Sequence, residues 1–168
     1  MGAANMHARS LFIGLTAFAG LASAAPAAAD EGADKPLAEY EAECESGVLA
    51  SCHEAGRAYM LGSEHPAKAE PDDARAIALF TQACDADYGD SCNNLARLGE
   101  RAEEGSPLRA EAIALFAKGC ELDSKIACNN LAIRYYEGRG VEKDLPRASS
   151  LFGKACELLR REGAEPGA

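Results

Sequence analysis

The chain has 168 residues, of which 48% are hydrophobic, and its formal net charge is −10 at pH 7. This length supports one modest hydrophobic core, so we expect a single folded domain. The acidic balance argues against binding of nucleic acid or of an anionic membrane surface, because both require a basic protein face.

Residues 1–29 have the features of a secretory signal peptide. Arg9 supplies one positive charge, the apolar run at 11–21 is too short to span a bilayer, and small residues follow. Cleavage near Ala29 fits this pattern best, with Ala24 as the alternative site. We therefore predict a protein exported to the periplasm or the medium, with residues 30–36 as a short linker and no membrane span in the mature form.

The cysteines recur at a regular spacing along the rest of the chain. All seven lie after the signal segment, and six of them form pairs with a separation of eight residues: Cys44–Cys52, Cys84–Cys92 and Cys120–Cys128. The first members of successive pairs, with Cys156 counted as the fourth, lie 40, 36 and 36 residues apart. A fixed period of this length is typical of stacked helical hairpins, so we predict an all-α solenoid of αα-hairpins.

The segments before the cysteines predict the first helix of each hairpin. ARAIALFTQA, AEAIALFAKG and PRASSLFGKA align without gaps before Cys84, Cys120 and Cys156. Each carries alanine, leucine and phenylalanine eight, five and four residues before its cysteine, which places the three side chains on one helical face. The candidate N-caps of these helices are Asp34, Asp72, Ser106 and Asp144.

A second helix is predicted after the second cysteine of each pair. The residues four positions after that cysteine are small, as close helix packing requires: Gly56, Ala96 and Ala132. Gly47, Asp87 and Asp123, three residues after the first cysteine, tolerate the left-handed conformation that ends a helix. Two antiparallel helices joined by so short a turn bring the paired Cβ atoms within disulfide range, so we predict one disulfide per hairpin.

The alternative for the six paired cysteines is zinc coordination. It is disfavoured because the sequence has no C-x-x-C motif and the pairs are spread along the repeat axis. Cys156 has no partner, since Ala164 stands eight residues later and Leu159 replaces the turn residue, so the last helix is expected to continue without a following helix. Its free thiol either packs as a small buried residue, which we favour, or links two copies of an otherwise monomeric protein.

These residues resemble the Sel-1-like repeat family, a relative of tetratricopeptide repeats, and within it the cysteine-rich branch typified by the Helicobacter cysteine-rich proteins. The similarity is closest at residues 128–156, CNNLAIRYYEGRGVEKDLPRASSLFGKAC, and covers residues 37–160 or about three and a half repeats. It implies a right-handed superhelix that serves as a protein- or peptide-binding scaffold, with residues 161–168 as a flexible tail. The second hairpin departs from the pattern, because Gly99 replaces the tyrosine found at 59 and 135.

The resemblance also implies an alternative activity, since members of that branch are described as penicillin-binding proteins and weak β-lactamases. A serine β-lactamase requires an S-x-x-K motif, and no serine here has lysine three residues later. His53 and His65 are isolated from other histidines in the sequence, and we expect His53 at the surface or at a helix cap. The sequence therefore predicts no catalytic residue, no cofactor and no metal ligand.

Similar cysteine-rich proteins also occur as assembly factors in the mitochondrial intermembrane space. This third interpretation is disfavoured, because the N-terminal segment has a compact apolar core and one arginine instead of an Arg-rich amphipathic presequence.

Two sets of polar residues recur with the repeat. Asn94 and Asn130 lie two residues after their cysteines, and we expect them to hydrogen bond to backbone groups between adjacent hairpins. The stripe residues lie nine and two positions before the first-helix cysteines: Arg75, Gln82, Glu111, Lys118, Arg147 and Lys154. Since first helices line the concave surface of such solenoids, this mostly basic stripe is a candidate dock for an acidic peptide or carboxylate ligand of an unidentified partner. Ordinary solvated helix charges are the alternative.

Overall fold

The computed structural model describes residues 35–163. That region contains a short 3₁₀ helix at Gly62–Glu64 and no strand. Its seven α-helices are α1 (Leu37–Glu45), α2 (Leu49–Leu61), α3 (Asp73–Asp85), α4 (Gly89–Arg101), α5 (Pro107–Glu121), α6 (Lys125–Glu137) and α7 (Leu145–Glu162). The predicted signal peptide, the candidate cap Asp34 and residues 164–168 of the predicted tail lie outside the described residues. Because α7 ends at Glu162, residues 161 and 162 are helical and do not belong to a flexible tail.

Each helix packs on its neighbours in sequence, so the described region is a stack of helical hairpins. The most extensive contacts join α2 with α3, α4 with α5, and α6 with α7. Helix α4 also contacts α6, which brings equivalent helices of successive hairpins together. The prediction of an all-α hairpin solenoid is thereby confirmed.

Side-chain caps begin three of the four first helices. Asp72, Ser106 and Asp144 each accept a hydrogen bond from the backbone N–H three residues later, at 3.0, 3.3 and 2.9 Å. These bonds satisfy N–H groups that have no partner inside the helix, as the sequence predicted. Helix α1 begins after Pro36 without a side-chain cap.

The short turns within the hairpins adopt the left-handed conformation expected from their residues. Gly47, Asp87 and Asp123 have φ values of 95°, 66° and 61°. Each turn reverses the chain within three residues, which brings the two cysteines of a pair face to face.

All three predicted disulfides are present, between Cys44 and Cys52, Cys84 and Cys92, and Cys120 and Cys128. The Cα atoms of the pairs lie 4.6, 4.8 and 4.5 Å apart, within the usual range for a disulfide. The zinc alternative is therefore excluded for these cysteines, because their sulfur atoms are bonded to one another.

Phenylalanine and small residues form the centre of the stack. Phe80 and Phe116 are fully buried, and Phe80 lies directly against Gly56. A Cβ atom on Gly56 would come within 2.7 Å of the Phe80 ring, so the small residue predicted here is required by the packing. Ala96 packs in the same cluster as Phe116 and is also fully buried.

Cys156 is a free, exposed cysteine on α7. The preference for a small buried residue is therefore wrong at this position. In the earlier hairpins the second helix covers the first-helix cysteine, whereas α7 continues past Cys156 for six more residues. The surface around it is apolar, with Leu159 at 59% and Ile126 at 47% exposure.

Candidate binding surface

The stripe residues lie in pairs on α3, α5 and α7, and the structure divides them by role. Gln82 and Glu111 are exposed, and the Glu111 carboxylate forms no ion pair within residues 35–163. The two lysines and the two arginines make specific contacts with neighbouring elements. Those contacts determine which charges remain available to a ligand.

Lys118 on α5 and Lys154 on α7 each join their helix to the preceding hairpin. Lys118 Nζ donates a hydrogen bond to the carbonyl oxygen of Cys84 at 2.7 Å and lies 3.6 Å from Asp87. Lys154 Nζ repeats the contact with Cys120 at 2.7 Å and lies 2.9 Å from Asp123, whose pKa the hydrogen bond from this lysine lowers. A cation at a helix C-terminus also interacts favourably with the helix dipole. These lysines therefore connect neighbouring hairpins. Their charges are already paired with a carbonyl oxygen and an aspartate of the protein, so they are less available to a ligand.

Arg75 is stacked on a tyrosine and surrounded by acceptors. Its guanidinium carbon lies 5.3 Å from the centroid of the Tyr59 ring, and Nη1 donates to the tyrosine oxygen at 2.6 Å. The side chain is also within 4.0 Å of Glu41 and 3.6 Å of Asp72. Its charge is thus balanced by two carboxylates.

Arg147 occupies the equivalent position on α7 but has no such acceptors. Its guanidinium carbon lies 4.3 Å from the centroid of the Tyr135 ring. Among residues 35–163 its side chain forms no ion pair and no hydrogen bond, although its backbone N–H donates to Asp144. Both Arg147 and Tyr135 line a cavity of about 660 Å³.

The contact between α4 and α5 lacks both members of this pair, with Gly99 at the tyrosine position and Glu111 at the arginine position. A Cβ atom on Gly99 would lie 2.6 Å from the carbonyl oxygen of Leu108, so α4 and α5 are too close there for a tyrosine. At this repeat position an arginine is present where a tyrosine ring lies beside it, and a glutamate is present where the tyrosine is replaced by glycine. The missing tyrosine is evident in the sequence, whereas its connection with the change from arginine to glutamate depends on the packing of α4 against α5.

Of the two recurring asparagines, Asn130 bonds across hairpins, whereas Asn94 bonds to its neighbour within α4. Asn130 Nδ2 donates to Asn93 Oδ1 at 2.7 Å, and Asn93 Nδ2 donates to Asn94 Oδ1 at 3.3 Å. The prediction of an inter-hairpin role holds for Asn130, but the partner is a side chain instead of the backbone. Asn93 provides the link because it is buried between α4 and α6 at 2% exposure.

His53 is buried, so the prediction of a surface or capping position is wrong. Its Nδ1 lies 2.9 Å from Ser91 Oγ, and its ring packs on Phe80 and Tyr88. The following hairpin covers the start of α2, which sequence spacing alone did not reveal. Burial lowers the pKa of His53, so the imidazole is held neutral as part of the packing between hairpins.

Two further properties concern the described residues only. Within residues 35–163 no group of three or more His, Cys, Asp or Glu side chains is arranged to hold a metal ion. None of the helices α1 to α7 is both long enough and apolar enough to cross a bilayer.

Stacked antiparallel helices at a regular period define this molecule as an α-solenoid repeat protein. Residues 49–88, 89–124 and 125–158 match the Sel1 repeat, and together they make up well over half of the chain. The chain therefore belongs to the Sel1 repeat family. No curated protein matches the sequence.

The boundaries of the matched repeats fall at the tight turns and not at the longer connections, which differs from the hairpins expected from the cysteine pairs. Each unit contains the second helix of one hairpin and the first helix of the next, as α2 with α3, α4 with α5, and α6 with α7. Each of the disulfides at Cys84–Cys92 and Cys120–Cys128 therefore joins two successive repeats. Helix α7 continues past Cys156 to Glu162, as the sequence predicted. In the repeat register it completes the third repeat with α6, and α1 is the additional helix.

Three solved structures have the same fold. A Sel1 repeat protein from Oxalobacter formigenes is 18% identical with a TM-score of 0.61, over 73% of this chain and 48% of that one. A protective antigen of uropathogenic Escherichia coli with the same repeat fold is 26% identical with a TM-score of 0.62, over 73% of this chain and 26% of that one. The chain thus spans about half of the first relative and about a quarter of the second.

The third structure is Helicobacter pylori cysteine-rich protein B. It is 21% identical with a TM-score of 0.55, and the match covers 78% of this chain and 93% of that one. The likeness extends over nearly the whole of the Helicobacter protein and agrees with the resemblance noted from the cysteine pattern. At this identity it shows the fold.

Proposed function

We propose that this protein is an exported scaffold that binds a protein or peptide through the exposed face of its first helices. The observation that carries the proposal is the regular placement of stripe residues on α3, α5 and α7 in a stack of Sel1 repeats. Sel1 repeats typically mediate protein interaction. Disulfides and lysine contacts fix the spacing between these helices, so a partner meets a preorganised surface.

Export is supported by the cysteine chemistry as well as by the N-terminal sequence. Six of the seven cysteines are paired in disulfides, which persist in oxidising compartments and are rare in the reducing cytosol. A periplasmic or extracellular location is therefore part of the proposal.

The test is affinity capture from periplasmic extract and culture medium with the oxidised protein as bait. The variant Arg75→Glu with Arg147→Glu reverses two exposed stripe charges. The control Arg97→Glu with Arg160→Glu makes the same change in net charge at exposed positions on α4 and α7 outside the stripe. We expect a specific partner that the control retains and the stripe variant loses.

Two results would contradict this function. The stripe variant retains the partner as well as the unmodified protein does, or the bait captures nothing beyond what an unrelated acidic protein captures. Circular dichroism of both variants checks that the helices are intact.

A further inference from the structure

We propose that the cavity beside Arg147 and Tyr135 is a carboxylate-binding subsite, which rests on the proposed scaffold function and names the chemical group that it recognises. Arg147 is the member of the stripe whose cation is stacked on a ring and forms no ion pair with the described residues. A second cation, Lys143, and two aliphatic side chains, Val141 and Leu145, line the same cavity. These features together distinguish the cavity from an ordinary charged surface.

The position of Arg147 is fixed by its contact with the Tyr135 ring. The distance of 4.3 Å from the guanidinium carbon to the ring centroid is a stacking distance. The guanidinium edges therefore remain open to solvent, since no described acceptor lies on them. A planar group with free N–H edges is suited to two parallel hydrogen bonds with a carboxylate.

Arg75 provides an internal comparison, because it has the same place in the repeat and the same aromatic support. There, however, Glu41 and Asp72 lie within 4.0 Å of the guanidinium, and the Tyr59 hydroxyl accepts one of its N–H groups. Around Arg75 the protein thus supplies its own carboxylates. Around Arg147 that place is open to a carboxylate from a ligand.

The lining of the cavity agrees with this assignment. Lys143 adds a second cation, which forms no ion pair within residues 35–163 and lies 5.7 Å from the centroid of the Tyr136 ring. The Asp144 carboxylate accepts the backbone N–H of Arg147 at 2.9 Å and caps α7. Glu142 is the opposing charge without a described partner, and its side chain is expected to weaken binding.

The walls indicate what is attached to the carboxylate. Val141 and Leu145 line the cavity, and Leu145 is 50% exposed. A volume of about 660 Å³ exceeds that of one amino-acid side chain, so it admits a terminal residue with its neighbour. An aliphatic residue with a free carboxylate therefore fits, and the carboxylate comes either from a peptide C-terminus or from an acidic side chain.

The test uses small probes and the oxidised, ¹⁵N-labelled protein, with arginine Nε–H signals followed by NMR. N-acetyl-leucine presents a terminal carboxylate, N-acetyl-glutamic acid α-amide presents a side-chain carboxylate, and N-acetyl-leucinamide has neither. We expect saturable shifts of the Arg147 signal with a carboxylate probe and none with the amide. The Arg75 signal is the internal control and is expected to stay in place.

Three variants sharpen the measurement. Arg147→Gln is expected to weaken carboxylate binding by about tenfold or more, since a charged hydrogen-bond donor is lost. Arg147→Lys keeps the charge but not the planar fork, so intermediate weakening is expected. Glu142→Gln removes the opposing charge and is expected to tighten binding.

Several outcomes would overturn the subsite. They are equal shifts with the amide probe, equal and unsaturable shifts of Arg75 and Arg147, or unchanged affinity in Arg147→Gln. If these occur while the captured partner still depends on the stripe, the subsite fails and the scaffold function stands. If the carboxylate probes bind as expected but no specific partner is captured, the scaffold function fails instead.

Discussion

Single side chains join the hairpins at positions that recur with the repeat. Lys118 and Lys154 contact the cysteine carbonyl and the turn aspartate of the preceding hairpin, and Asn130 contacts Asn93 across the same boundary. These contacts are local in space but lie 34 to 37 residues apart in sequence. They determine which polar groups of the stripe are free to meet a ligand.

Replacement of Lys118 by methionine tests the inter-hairpin contact. The variant keeps the aliphatic stem but leaves the Cys84 carbonyl without this charged donor, so we expect a loss of about 1 kcal/mol in unfolding free energy, after allowance for partial exposure. Lys125→Met is the control, because its partner Glu162 is solvent-exposed and the expected loss is below about 0.5 kcal/mol. Urea unfolding measures both, and equal losses would contradict the proposed role.

His53 predicts a pH dependence of stability. Burial lowers its pKa in the folded protein, so the unfolded chain takes up a proton first as the pH falls through the ordinary value of 6.5. The unfolded state then binds more protons, and unfolding free energy is lost below that pH until the folded imidazole also titrates.

The measurement compares urea unfolding at about pH 7.5 and about pH 5.5 in the parent and in His53→Gln. We expect a smaller difference between the two pH values in the variant, because the carboxylates that also titrate are common to both. The same pH difference in both proteins would show that His53 does not contribute.

At the residue scale, features that recur in every repeat were predictable from the sequence, whereas contacts that occur at a single place were not. Three helix caps, the turn residues and the cysteine pairs recur at fixed offsets, and all were found. Arg134, which is 8% exposed and paired with Glu100 between α6 and α4, has no equivalent in the other hairpins. The same is true of the contact between His53 and Ser91, which depends on how closely two helices approach.

Helices are the next scale, and their separation is set by the smallest residues on their faces. Gly99 allows α4 to approach the start of α5, and this close approach explains why the contact between α4 and α5 has no Tyr and Arg pair. Gly153, in contrast, lies in the middle of α7 with nothing within 4 Å of an added Cβ. One glycine is required by packing, and the other is not.

This difference predicts opposite effects of the same substitution. Gly99→Ala introduces a contact of 2.6 Å with backbone, so we expect a loss of about 1 to 3 kcal/mol in spite of better helix propensity. Gly153→Ala has open space and is expected to gain about 0.5 to 1 kcal/mol. Thermal unfolding of the two variants measures the signs, and a stabilising Gly99→Ala would contradict the close approach.

The disulfides act at this scale by fixing one helix relative to the next. Replacement of Cys84 and Cys92 by alanine opens a loop of about nine residues, for which the loop-entropy model gives a loss of roughly 2 to 3 kcal/mol. We expect α3 and α4 to show faster amide hydrogen exchange than α6 and α7 in this variant. Uniform acceleration over all helices would contradict a local effect.

Helix order and hairpin pairing were predictable from sequence because cysteine spacing and apolar periodicity agree at every repeat. The boundaries of the repeats were not predictable, because the cysteine pairs mark the tight turns, whereas each repeat pairs two helices across a longer connection. The larger interfaces lie across the longer connections, between α4 and α5 for example. Cysteine spacing does not report the size of an interface.

At the scale of the whole described region, residues 35–163 combine three Sel1 repeats, one preceding helix and a covalent link at each tight turn. Two of the covalent links join successive repeats at the tight turns. A surface of this kind can present separate charges to an extended partner at fixed intervals. The proposed carboxylate subsite on the third repeat would then bind one end or one acidic side chain of that partner.

The most direct test of this account is a count and map of thiols in the denatured, unreduced protein. Alkylation followed by peptide mass spectrometry should find one reactive thiol per chain, at Cys156, and three linked peptides that join the cysteines of each tight turn. Three or more reactive thiols, or links between cysteines of different turns, would contradict the covalent connection of successive repeats on which the binding surface depends.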